Sequence, residues 1–116
     1  MTNVEPRAIS PATSEPCDEP CPIERGMRVL GGRWTASVLW HLQDEAVRFN
    51  DLARMIPAAS PKMLSQRLRH LEEHGLVRRI PLDTRPPGVA YAIEPPGTEA
   101  LSALDELRKW VEQDGR

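Results

Sequence analysis

The densest run of chemistry-bearing side chains lies between Ser60 and Gly75. Leu64, Leu68 and Leu71 recur there at i, i+4 and i+7, the spacing of one helix face. Between them stand Ser60, Lys62, Met63, Ser65, Gln66, Arg67, Arg69 and His70. A helix with a buried aliphatic stripe and long polar donors around it has what reading a DNA duplex requires. One side fixes the helix to its domain, and the other reaches base edges and phosphates. Glutamine suits adenine, and arginine or lysine suits guanine. Lys62, Met63, Gln66 and Arg67 are the candidates for groove contact, since the N-terminal part of such a helix enters the major groove. Ser60 and the adjacent helix N-terminal amides suit a phosphate. A solvated surface helix has similar polarity, so the neighbouring elements decide between the two readings.

The other constellations carry less. His70 and His74 are four residues apart, but two imidazoles do not complete a zinc site. Cys17 and Cys21 lack the spacing and second ligand pair of a zinc ribbon and form no disulfide framework. With no glycine-rich phosphate loop and no supported nucleophile–base grouping, the sequence predicts no enzyme, no resident metal and no cofactor. Arg78 and Arg79 stand side by side in a strand-like run, so only one of them faces a given surface. Arg85 lies in a turn-rich segment where a basic side chain can enter a narrow minor groove.

Charge supports the same region. The formal net charge is −2, but residues 60–91 hold six bases (Lys62, Arg67, Arg69, Arg78, Arg79, Arg85) against three acids (Glu72, Glu73, Asp83). A basic segment in an acidic chain is a local electrostatic footprint. At 116 residues the chain allows one domain with a modest core, built mostly from aliphatic residues. With no long apolar run and no signal-peptide pattern, a cytoplasmic protein away from the membrane is expected.

Stepping outward, residues 1–20 are rich in proline, polar and acidic residues and read as a flexible N-terminal tail. Residues 21–113 form the domain. A first helix is expected over 22–30, with Ile23, Met27 and Leu30 on one face, ended by Gly31-Gly32. A second runs over 33–43, with Trp34 as a core anchor and Val38, Leu39 and Leu42 inward. Arg48-Phe49 suggest a short strand, and Asn50 caps a third helix carrying Leu52, Met55 and Ile56. Ser60-Pro61 opens the polar helix and Gly75 closes it. Residues 76–80 and 89–93 alternate as the arms of a hairpin. Pro95-Pro96-Gly97 breaks the second arm, and a last helix follows over 98–113. Helices, turn, polar helix, hairpin and final helix in that order give a mainly α fold with a small β-hairpin wing, a winged helix-turn-helix.

In its residues the chain resembles the HxlR-type winged-helix transcriptional regulators. The resemblance rests on Cys21-Pro22-Ile23, on Gly31-Gly32-Arg33-Trp34-Thr35, and on Arg48-Phe49-Asn50-Asp51-Leu52. It continues through the run from Ser60 to Leu68, through Leu71 to Val77, and through Pro86 to Tyr91 with Pro96-Gly97. It departs from the family pattern at Ala59, Gly88, Ala90 and Glu94-Pro95.

The resemblance implies a homodimer on a partly palindromic operator in double-stranded DNA. Residues 60–75 would lie in the major groove, and the wing, with Arg79 and Arg85, near the minor groove. Ser65 and Arg69 complete the expected DNA-binding set. The terminal helices would pair two protomers through Ile23, Met27, Leu30, Leu101, Leu104, Leu107 and Trp110. In some members the cysteine at the position of Cys21 responds to oxidants or electrophiles. That implies an oxidant or small-molecule effector, with Cys17 as a resolving partner for Cys21. A helix N-terminus favours a thiolate, while Asp18, Glu19 and Glu24 oppose it. The alternative is a winged helix that binds protein and not DNA, which would more often carry an apolar patch on the polar helix.

Overall fold

The aliphatic stripes predict where the core forms, and the computed structural model places it there. It describes residues 21–113 and Gly115; the tail of residues 1–20, with Cys17, lies outside the described residues. The elements are α1 (Pro22–Leu30), α2 (Thr35–His41), β1 (Val47–Arg48), α3 (Phe49–Met55), α4 (Pro61–Glu73), β2 (Val77–Leu82), β3 (Gly88–Ile93) and α5 (Pro95–Gln113). Leu39, Leu42, Leu52, Leu64, Leu68 and Leu71 are fully buried together with Val38. Burying one such side chain contributes about 1.5–3 kcal/mol, so this cluster holds α2, α3 and α4 against one another.

Several element boundaries differ from the sequence expectation. The second helix begins at Thr35, not Arg33, because Trp34 takes a left-handed backbone (φ 70°) at the N-cap. A bulky residue there costs on the order of 1–2 kcal/mol. Packing of the half-buried indole on the core, and the Arg33 guanidinium 5.2 Å above its ring, offset part of that cost. The short strand is Val47–Arg48, and Phe49 already belongs to α3, whose N-cap is Arg48 and not Asn50. α4 meets expectation at both ends: the Ser60 hydroxyl accepts from the Met63 amide at 3.1 Å, and Gly75 takes φ 75° just past the last turn.

The wing is larger than a two-arm hairpin. β1, β3 and β2 form an antiparallel sheet in that order, with Val47 and Arg79 both opposite Tyr91. β2 runs on to Leu82 despite Pro81, because it is an edge strand and that edge can do without an amide donor. The final helix starts three residues early, at Pro95. Two prolines suit a first helical turn, where amides have no intrahelical partner. Gly97 is buried there because its α-carbon lies against the Leu76 carbonyl and Ile93, leaving no room for a side chain.

The terminal helices contrast with this interior. α1 has no buried residue; Ile23 is 72% exposed and Met27 57%. Leu30, Leu101 and Leu104 pack on the core of their own chain, while Leu107 and Trp110 are exposed. On the outer face of α5, Arg108 donates to Asp105 and Glu112, and its hydrogen bond holds the Asp105 carboxyl below its usual range. Among the described residues no helix is long and apolar enough to cross a membrane.

Candidate nucleic-acid interface

At 100° per residue, the buried leucines of α4 define one direction and sort every other side chain. Lys62, Ser65, Gln66, Arg69 and Glu73 fall on the side opposite the leucines, and all are exposed. Met63, Arg67 and His70 share a flank turned toward the α1–α2 junction, and all three are half-buried. The helix therefore has three faces: a core face, a flank occupied by its own protein, and a polar face open to solvent.

The open face continues onto the wing. Phe49, Ser65, Arg69, Glu72, Arg79, Val89 and Tyr91 line a groove between α4 and the sheet. A second groove shares Phe49, Arg79 and Val89 with it and extends to Arg48, Asn50, Leu82 and Pro87. Arg48 from β1, Arg69 from α4 and Arg79 from β2 thus border one continuous depression floored by apolar side chains. Lys62, Arg48, Arg69 and Arg79 form no ion pair among the described residues, whereas Arg78 pairs with Glu94 at 2.8 Å on the other side of the strand. Strand alternation separates the two neighbours: Arg79 joins the α4 side and Arg78 does not. Arg85 is exposed at the hairpin tip, where the Thr84 hydroxyl donates to the Pro86 carbonyl at 2.9 Å.

Of the residues singled out in the sequence, Ser60, Lys62, Ser65, Gln66, Arg69 and Arg79 lie on or beside this open face, and Arg85 projects beyond it. Met63 and Arg67 do not. Arg67 was expected to point into a groove, but its Nε donates to the Arg33 carbonyl at 2.7 Å. Arg48 was missed. The signal for it is the alternation Val47-in, Arg48-out, which becomes visible only once β1 is known to join the sheet. His70 and His74 meet edge to face at 4.6 Å, and the described residues contain no group of three or more metal-ligating side chains. Cys21 is the N-cap of α1, half-buried, with its carbonyl accepting from the Arg25 amide.

Comparison with known proteins bears on the family and the fold. A family model described as HxlR-like helix-turn-helix matches residues 29–116. An uncharacterised HTH-type transcriptional regulator of Methanothermobacter thermautotrophicus is 35% identical over 95 residues, 82% of this chain and 72% of its own. A solved structure of the redox regulator HypR in its oxidised form superposes with a TM-score of 0.75 at 32% identity, covering 81% of this chain and 97% of that one. The reduced form of the transcriptional regulator YodB from B. subtilis gives 0.71 at 33% identity, covering 81% and 93%.

Proposed function

The chain belongs to the HxlR-like helix-turn-helix family of transcriptional regulators, and we propose that it acts as a homodimer on a partly palindromic operator in double-stranded DNA. α4 is its recognition helix. The observation that carries the proposal is the polar face of α4 joined to unpaired arginines of the wing. Lys62 and Gln66 read base edges; Ser65, Arg69, Arg79 and Arg48 contact phosphates flanking the groove, and the Ser60 end of α4 binds a further phosphate. Arg85 at the wing tip reaches the adjacent minor groove. The outward positions of α4 itself, Lys62, Ser65, Gln66, Arg69 and Glu73, are all polar, where a protein-binding winged helix would more often carry an apolar patch. Ile23, Met27, Leu107 and Trp110, exposed on α1 and α5, supply the contacts between protomers, and Leu30, Leu101 and Leu104 support them from the core side. Such a protein works in the cytoplasm, where its DNA is.

Cys21 carries the response to an oxidant or other electrophile. The position of its residue at the N-cap of α1 supports this, since a helix N-terminus favours a thiolate. The likeness to HypR, named a redox regulator, supports it too.

The test is a gel shift with the DNA upstream of the protein's own gene, repeated across salt and with diamide. Binding that weakens steeply as salt rises, through loss of counterion release, is expected. Absence of salt-sensitive binding to any genomic fragment would sink the DNA reading. Release by diamide from wild type and Cys21→Ser alike would sink the thiol reading alone.

A further inference from the structure

The flank of α4 between its core face and its open face is not idle. Arg67 donates from Nε to the Arg33 carbonyl at 2.7 Å, and the His70 Nε2 lies 2.9 Å from the Val29 carbonyl. The two side chains stand three residues apart on one helix. They grip two backbone carbonyls that bracket the end of α1 and the turn into α2. The turn is shaped to receive Arg67. A Cβ on Gly32 would stand 3.2 Å from the Arg67 Nη1 and 2.9 Å from the Thr35 hydroxyl, so the glycine lets the guanidinium lie close against the turn. Trp34 completes the turn in its left-handed conformation.

We propose that Arg67 and His70 are positioning residues that clamp the recognition helix to the α1–α2 turn, and that Arg67 is not a DNA contact. The proposal rests on the DNA-binding reading for its consequence but not for its geometry. α1 buries no side chain of its own, and the clamp grips its last turn. Val29 and Leu30 pack its last turn on the core, and the same two hydrogen bonds link that turn to the helix that presents Lys62, Gln66 and Arg69. A shift of α1 reaches α4 through these two donors as well as through the contacts of Val29 and Leu30 with the core.

The full-length protein tests this with a duplex that the wild type recovers from a random-sequence pool. Arg67→Gln should bind it about tenfold more weakly, the effect of losing one charge-assisted hydrogen bond. Its base preferences and the slope of log affinity against log salt should stay as in wild type. Gly32→Ala, which crowds the guanidinium and the Thr35 hydroxyl, should weaken binding in the same direction, and the double variant should be no weaker than Arg67→Gln. His70→Gln, which retains a donor, should bind better than His70→Ala. In the absence of DNA, amides of residues 29–35 should exchange faster in Arg67→Gln while those of Val38, Leu39 and Leu42 stay protected.

A salt slope shallower by about 0.9 with unchanged exchange would make Arg67 a phosphate contact and overturn the proposal. Additive loss in the double variant, or equal behaviour of the two His70 variants, would overturn it as well. Uniformly faster exchange would reduce Arg67 to a stability residue, with the same result. Should Arg67→Gln not fold, the His70 pair decides. Should no duplex be recovered, the DNA reading fails, and the exchange measurement on its own still decides whether the clamp exists.

Discussion

Gln66 sits on the outermost line of α4, one turn beyond Lys62 and beside Arg69, with no partner in its own chain among the described residues. A side chain so placed can be removed without cost to the fold. Gln66→Ala is expected to lose about 1–3 kcal/mol of binding to its preferred sequence, with discrimination lost at one base pair. Competition with singly substituted duplexes measures this, and an unchanged melting temperature confirms that the fold is intact. Arg79→Ala should act differently, weakening all sequences alike and making the salt slope shallower by about 0.9. Ser60→Ala removes the acceptor for the Met63 amide, so about 1 kcal/mol of stability should disappear in urea titrations. At this scale the sequence identified residue types and turn periodicity well, because polar residues opposite a leucine stripe have few other places to go. It could not separate Gln66 from Arg67. The two are adjacent and chemically alike as donors, and only the distant Arg33 carbonyl draws one of them inward.

Elements read from local signals held, and those fixed by distant partners shifted. The start of α4 at Ser60-Pro61 and its end before Gly75 depend on caps within a few residues, and both stand where the sequence places them. The start of α2 depends on the turn that seats Arg67, 34 residues away, and so moved to Thr35. β1 exists only because β3 lies beside it, and two residues carry too little pattern to announce a strand. In the sequence the prolines before α5 signal a strand break. They are that, and they also form the first helical turn, because Gly97 lets the chain pass against the Leu76 carbonyl. Gly97→Ala is thus expected to destabilise the junction of wing and last helix by about 1–3 kcal/mol through overpacking. Leu68→Ala, which opens a cavity at the centre of the core, should cost about 2–5 kcal/mol. If denaturant midpoints ranked these two in the reverse order, the assignment of the principal core to the α2–α4 contact would need revision.

Across the whole molecule, Ile23 and Met27 of α1 and Leu107, Trp110 and Val111 of α5 are left exposed, the surface on which the proposed dimer rests. Met27→Glu, with a half-exposed side chain on α1, should lower the mass seen by light scattering from dimer to monomer while the α2–α4 core stays folded. Binding to a palindromic duplex should fall far more than binding to a half-site, since two half-sites one helical turn apart need two linked recognition helices.

The nine residues of α1 carry a final consequence. A helix of that length is marginal in water by itself, because nucleation is costly and few hydrogen bonds repay it. Only Val29 and Leu30 in its last turn pack on its own core, so in the proposed dimer much of its order comes from association. In that dimer, helix formation in this segment is coupled to association. Serial dilution should erode the far-ultraviolet helical signal by roughly the share that α1 represents, before any denaturant is added. A signal that stays constant well below the dissociation concentration would mean that the packing of Val29 and Leu30 and the clamped turn keep the helix wound within one protomer.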